Sequence, residues 1–91
     1  MSRKATKIFE KMKQTQANWH PHDFQTLYLG YGYKMIEGKK HHIFIHPDFP
    51  QLEKATIPRH NEELSKAYAR DAVENIETLL RLKAEKEQGD E

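Results

Sequence analysis

In Tyr33-Lys34-Met35-Ile36-Glu37-Gly38-Lys39-Lys40-His41-His42-Ile43-Phe44-Ile45-His46-Pro47, two runs of alternating side-chain character flank a short polar turn. A repeat of two is the period of a β-strand, in which successive side chains point to opposite faces. The first run puts Tyr33 and Met35 on one side and Lys34 and Ile36 on the other. Glu37-Gly38-Lys39 reads as the turn of a hairpin, and the second strand is expected from Lys40 to His46. Pro47, Asp48, Phe49 and Pro50 close that strand, because proline removes a ladder donor and the others favour turns. Glu53 to Pro58 is long enough for a third strand, and its proline suits an end position.

On either side of this sheet the period changes to that of a helix. Over residues 3 to 15, Ala5, Ile8, Phe9 and Met12 recur at i, i+3, i+4 and i+7 among lysines, the stripe of a helix with one buried face. Gln16 to His22 breaks the period at Asn18 and Pro21. Trp19 within it is expected at the edge of the core, its indole N–H needing a partner. Asp23 is expected to cap a second, short helix through Phe24, Leu27 and Tyr28, ending at Gly30 or Gly32. After the third strand, Asn61 followed by Glu62 and Glu63 has the form of an N-cap with first-turn acids. Leu64, Tyr68, Ala72, Ile76, Leu79 and Leu80 carry the helical stripe on towards Lys86. The sequence thus predicts an α+β fold, a three-stranded antiparallel sheet with helices packed on one face, in the order α-α-β-β-β-α.

The 91 residues suit one domain, with residues 1–22 a helical N-terminal extension and 87–91 a polar tail. No stretch approaches the roughly 20 apolar residues that a membrane span needs. The absence of a charged-then-apolar leader sets the expectation of a cytoplasmic protein, and the chain has no cysteine, which excludes disulfides and thiolate chemistry. The net charge of +1 hides an asymmetry. Residues 1–46 carry eight Lys/Arg against three Asp/Glu, whereas residues 47–91 carry seven against eleven. Clustered lysine and arginine in the first half suit RNA phosphates, although a basic solvated face has the same composition.

The chemistry-bearing residues concentrate in the second strand. Alternation puts His41, Ile43 and Ile45 on one face and His42, Phe44 and His46 on the other. Matching Ile43 and Ile45 with Ala55 and Ile57 as core residues leaves His42, Phe44 and His46 on an uncovered face. An imidazole titrating near pH ~6.5 can take a proton from a ribose 2′-OH or give one to a leaving 5′-oxygen. Lys39 and Lys40 would hold phosphate, and an exposed Phe44 would stack a base. His42 and His46 stand four positions apart on a strand, roughly 13 Å at about 3.3 Å per residue, too far to share a metal ion. His20 and His22 flank a proline and carry no spacing signature. No Gly-rich phosphate loop or defensible carboxylate pair is present, Gly30-Tyr31-Gly32 being a helix-to-strand turn, and no cofactor is assigned.

Three segments together resemble a known family. Phe24 to Ile36 is a short helix, Gly32 and an aromatic leading into a strand. His41-His42-Ile43-Phe44-Ile45-His46-Pro47 is similar to a His-His-x-Phe-x-His-Pro stretch, and Ile57-Pro58-Arg59-His60-Asn61-Glu62-Glu63-Leu64 to a strand-to-helix junction. In this order and spacing, over residues 24 to about 75, they resemble HicA, the RNase toxin of HicA/HicB toxin–antitoxin pairs, whose fold is similar to a double-stranded-RNA-binding domain. The resemblance implies metal-independent cleavage of mRNA, a HicB-like antitoxin that covers the site, and His42 as the catalytic histidine, with His41 as the fallback if the register is off by one. Around it the expected RNA contacts are Lys39, Lys40, Phe44, His46 and Arg59. Arg59 has three readings: a phosphate contact, a contact to an antitoxin carboxylate, or a cap on the strand end.

The chain departs from the family pattern where Lys39-Lys40 replace Gly-Ser before the histidine pair, with a hairpin turn one residue shorter. It departs again in a longer, more charged final helix and in residues 1–22. Two functional classes follow: an RNA-cleaving toxin using His42, and a non-catalytic RNA-binding or antitoxin-binding module that keeps the sheet without the reaction.

Overall fold

The computed structural model describes residues 3–89. Its elements are α1 (Arg3–Gln14), α2 (Pro21–Gly30), β1 (Lys34–Glu37), β2 (His41–Ile45), β3 (Ala55–Pro58) and α3 (Lys66–Gly89). The strands form one antiparallel sheet in the order β1-β2-β3, so the α+β class and the element order are those the periodicity predicts. α3 runs through Glu87 to Gly89, into the stretch expected as a polar tail; residues 90–91 of that tail and residues 1–2 of the extension lie outside the described residues. Among the described residues no helix is long and apolar enough to cross a membrane.

α1 buries Ala5, Phe9 and Met12, the stripe read from the sequence, and packs mainly against α2 and α3. Phe9 meets the Tyr31 ring edge to face at 5.8 Å. α2 starts before Asp23. His20 is the extended N-cap, and Pro21 occupies the first turn, where a missing N–H costs nothing. Asp23 sits three residues in and accepts the His20 N–H at 2.9 Å, capping the helix backwards. At the other end, Tyr31 N–H bonds the carbonyls of Leu27 and Tyr28. Gly32, at φ +95°, then turns the chain into β1.

α3 begins at Lys66, not behind Asn61. A long-range clasp holds the intervening residues out of the helix: Leu64 N–H donates to the Trp19 carbonyl at 2.8 Å, and Asn18 N–H to Glu63 Oε2 at 3.2 Å. Trp19 is buried as expected and finds its partner in the Thr15 carbonyl, 2.9 Å from the indole nitrogen.

The sheet register reverses the expected assignment of faces. β2 pairs with β3 so that His42 lies opposite Ile57 and Phe44 opposite Ala55, while Ile43 lies opposite Thr56. Ala55 and Ile57 therefore share a face with His42 and Phe44, not with the isoleucines. That face meets the helices. Phe44 is wholly buried and stacked on Tyr28 of α2, ring centres 5.1 Å apart, and Tyr28 in turn meets Tyr33 at 4.8 Å. The opposite face is open, with Lys34, Ile36, His41 and Ile45 exposed. The aromatic stack decides the outcome: burying a full phenyl ring contributes about 1.5–3 kcal/mol, and ring-on-ring contact adds about 0.5–1.5 kcal/mol. A half-exposed isoleucine forgoes less.

Candidate active site

Three of the six residues expected to touch RNA or carry the reaction are on the inner face, and they have unlike surroundings. Phe44 presents no ring surface to solvent, so base stacking is replaced by a core role. His46 is buried to 5% exposure, also against the expectation of an open face. Its Nδ1 lies 3.2 Å from Asp48 N–H and accepts it, while Nε2 lies 3.2 Å from the Tyr31 carbonyl. An Nδ1 that accepts requires the proton on Nε2, so the ring is a neutral Nε2–H tautomer donating to Tyr31. Tyr33 and Phe49 hold it edge-on at 5.1 and 5.3 Å. A Cβ on Gly32 would stand 3.0 Å from Nε2, so the glycine makes room for the ring as well as for the turn. His46 is a structural clamp between the α2–β1 turn and the end of β2.

His42 differs on each count. It is half-buried, and Nε2 is shut off from water with no hydrogen-bond partner, one of two such side-chain atoms among the described residues, the other being Tyr33 Oη. Leaving a buried polar atom unsatisfied costs about 1–3 kcal/mol, and an imidazole kept under that penalty calls for an explanation. The ring lines a cavity of about 220 Å³ that opens to the surface.

His22 and Gln25 of α2, Arg59, His60 and Asn61 share that cavity. They come from two parts of the chain, α2 and the segment that follows β3. Pro21 at the start of α2 turns His22 into the first helical turn, and the strand ends at Pro58, which delivers Arg59 and His60 to the rim. Arg59 is tied down twice: its backbone N–H bonds the Lys40 carbonyl at 3.0 Å, and Nη1 bonds the Gly38 carbonyl. It fastens the end of β3 to the β1–β2 turn, as the strand-end reading has it, and the residue also lines the cavity. His60 Nδ1 accepts Glu62 N–H at 3.1 Å. Lys39 and Lys40 are exposed at the tip of that turn, whose glycine is obligatory because a Cβ on Gly38 would stand 2.6 Å from the His41 carbonyl oxygen. His41 itself is exposed on the other face of the sheet.

Among the described residues no carboxylate lines this cavity, whereas a second cavity of about 200 Å³, between β3 and α3, carries Glu53, Asp71 and Glu74. Imidazoles and a guanidinium without a counter-charge favour an anion. Among the described residues no group of three or more His, Asp or Glu is arranged to hold a metal ion. The tyrosines beneath the site take no part in proton transfer near neutrality. Burial pushes Tyr28 up to about 12, against a smaller opposing effect of its hydrogen bond from Asn75, and burial raises Tyr33 as well, with Tyr28 adding to it.

Compared with known proteins, the chain matches no family model, no curated protein and no solved structure. His42 and Arg59 are brought together as the sequence suggests; Phe44 and His46 are withdrawn into the core; His22, Gln25 and His60 join unforeseen. The only advance signal for His60 was its place beside Arg59 in the junction that carries the family resemblance.

Proposed function

We propose that this chain is an endoribonuclease that cleaves mRNA by proton transfer at His42, the toxin of a type II toxin–antitoxin pair of the kind it resembles, HicA. One observation carries the reading: a half-buried histidine with a partnerless Nε2, itself among the lining of a surface cavity that receives Arg59 and, among the described residues, no carboxylate. In the reaction His42 takes the proton of a ribose 2′-OH, the 2′-oxygen bonds to phosphorus, and the bond from phosphorus to the 5′-oxygen breaks. His22, exposed on the same wall, would return a proton to that departing oxygen. Arg59 holds the phosphate, and Lys39 and Lys40 draw in the flanking backbone. Atoms balance without an external reactant, the products being a 2′,3′-cyclic phosphate and a 5′-hydroxyl. Such a protein acts in the cytoplasm on mRNA, and a HicB-like antitoxin would hold it inactive by covering the cavity.

The test is cleavage of RNA by purified protein in EDTA, with His42→Ala alongside. Loss of a positioned acid–base group lowers the rate by about 10²–10⁴-fold, and growth arrest on induction should vanish with the same substitution. RNA binding without cleavage in either protein would instead establish the non-catalytic binding module, a reading favoured by the seal over Nε2.

A further inference from the structure

His60 stands one residue from Arg59 on the rim of the His42 cavity, and a backbone contact fixes which of its ring nitrogens carries the proton. Glu62 N–H, two residues on, donates to Nδ1 at 3.1 Å. A neutral imidazole has one donor and one acceptor nitrogen, so with Nδ1 accepting, the proton resides on Nε2. Charging the ring would place a second N–H against the Glu62 N–H and break that bond. With that bond in place, the ring's remaining donor is Nε2–H. Its neighbour is constrained in the same spirit: one guanidinium N–H is spent on the Gly38 carbonyl, which orients the remaining ones. Two adjacent residues, each with its side chain anchored by one bond to backbone, both line a cavity that among the described residues receives no carboxylate.

From this pairing we propose that His60 Nε2–H and the Arg59 guanidinium form a seat for the non-bridging oxygens of a single phosphodiester, positioned beside His42. Arg59 supplies the charge and His60 a directional hydrogen bond that does not compete for the proton His42 must take. The proposal rests on the reading that RNA occupies the cavity, but not on the RNA being cut. The two histidines then have distinct tasks: Nδ1 of His60 accepts a backbone N–H, whereas Nε2 of His42 has no partner.

The probe is a 2′-deoxy dinucleotide, which carries one phosphodiester and lacks the hydroxyl needed for cleavage. Its binding is followed by calorimetry and by the ring ¹⁵N shifts of His60. The Nε2–H tautomer should be present before the probe is added, and the Nε2 shift should move on saturation. His60→Asn separates structure from binding, because a short amide accepts an N–H two residues on but cannot reach the cavity. It should keep the thermal midpoint and lose about tenfold or more in affinity, the loss expected for one hydrogen bond to a charged group. His60→Gln, whose longer amide restores a donor near the Nε2 position, should recover part of it. Wild-type affinity in His60→Asn, a protonated or Nδ1–H ring in the free protein, or no binding by the wild type would each overturn the proposal. Cleavage is scored separately on ribo-substrate: a protein that binds the probe as described but cuts nothing keeps the phosphate seat and loses the nuclease, and one that cuts through His42 while His60→Asn binds normally does the reverse.

Discussion

The two ends of the inner sheet face hold the same kind of side chain in opposite states. At the deep end, both nitrogens of His46 are matched to backbone groups and the ring is walled in by Tyr33 and Phe49. At the shallow end, four residues earlier and within β2, His42 has an unmatched nitrogen and a cavity beside it. Residue type and strand face are identical, so neither distinguishes structure from chemistry. What distinguishes them is hydrogen-bond completeness: a saturated imidazole has nothing left to offer a ligand, and an unsaturated one is maintained at a cost to stability.

The contrast breaks most readily at the deep end. Phe44→Ala removes a fully buried ring and its stack on Tyr28, and should cost about 3–5 kcal/mol in chemical denaturation; an unchanged midpoint, with weakened RNA binding only, would return Phe44 to the surface role first expected of it. His46→Ala empties a packed site and strands the Asp48 N–H and Tyr31 carbonyl, for a loss of about 2–4 kcal/mol. The shallow end should behave otherwise. His42→Leu replaces an unsatisfied ring by an apolar group of similar bulk, and the expected change is between zero and a gain of about 1 kcal/mol. A loss of more than that would mean Nε2 has a partner.

A pH series sharpens the same comparison. Tyr28 is raised from 10 to about 12 by burial, and Tyr33 is raised in the same direction for the same reason. A raised folded-state pKa means that stability is intact below pH 10 and drains away as the pH climbs towards the folded value, because the unfolded chain gives up its phenolic protons first. Each such tyrosine removes about 1.4 kcal/mol per pH unit over that window. Thermal midpoints should be flat up to pH 10 and fall steeply above it, less steeply in Tyr28→Phe.

How far the sequence anticipates this depends on the range of the interaction involved. The helix stripe of Ala5, Phe9 and Met12, the hairpin around Gly38 and the third strand ending at Pro58 are local patterns, and all are present. Which face of β2 is inward is not local. Alternation yields two faces without naming the buried one, and Ile43 with Ile45 looks more apolar than His42, Phe44 and His46 until Tyr28 arrives from α2 to stack on Phe44. The start of α3 fails for a like reason: Asn61 followed by two glutamates is a good local cap, but Trp19 and Asn18, more than forty residues earlier, claim the Leu64 N–H and the Glu63 carboxylate. In the site, His42 and Arg59 lie in recognisable segments, whereas His22 and His60 become neighbours of His42 only once three elements are assembled.

That clasp between Trp19 and Leu64 has an optical consequence. The chain has one tryptophan, and it lies where the leading segment grips the loop that runs on from His60. Its emission is a built-in gauge of that joint, blue-shifted while the indole is shielded and donating to Thr15, and red-shifted once water reaches it. Melting of the whole domain and loosening of the loop alone can thus be told apart by comparing the colour of this one fluorophore with far-ultraviolet dichroism of the helices.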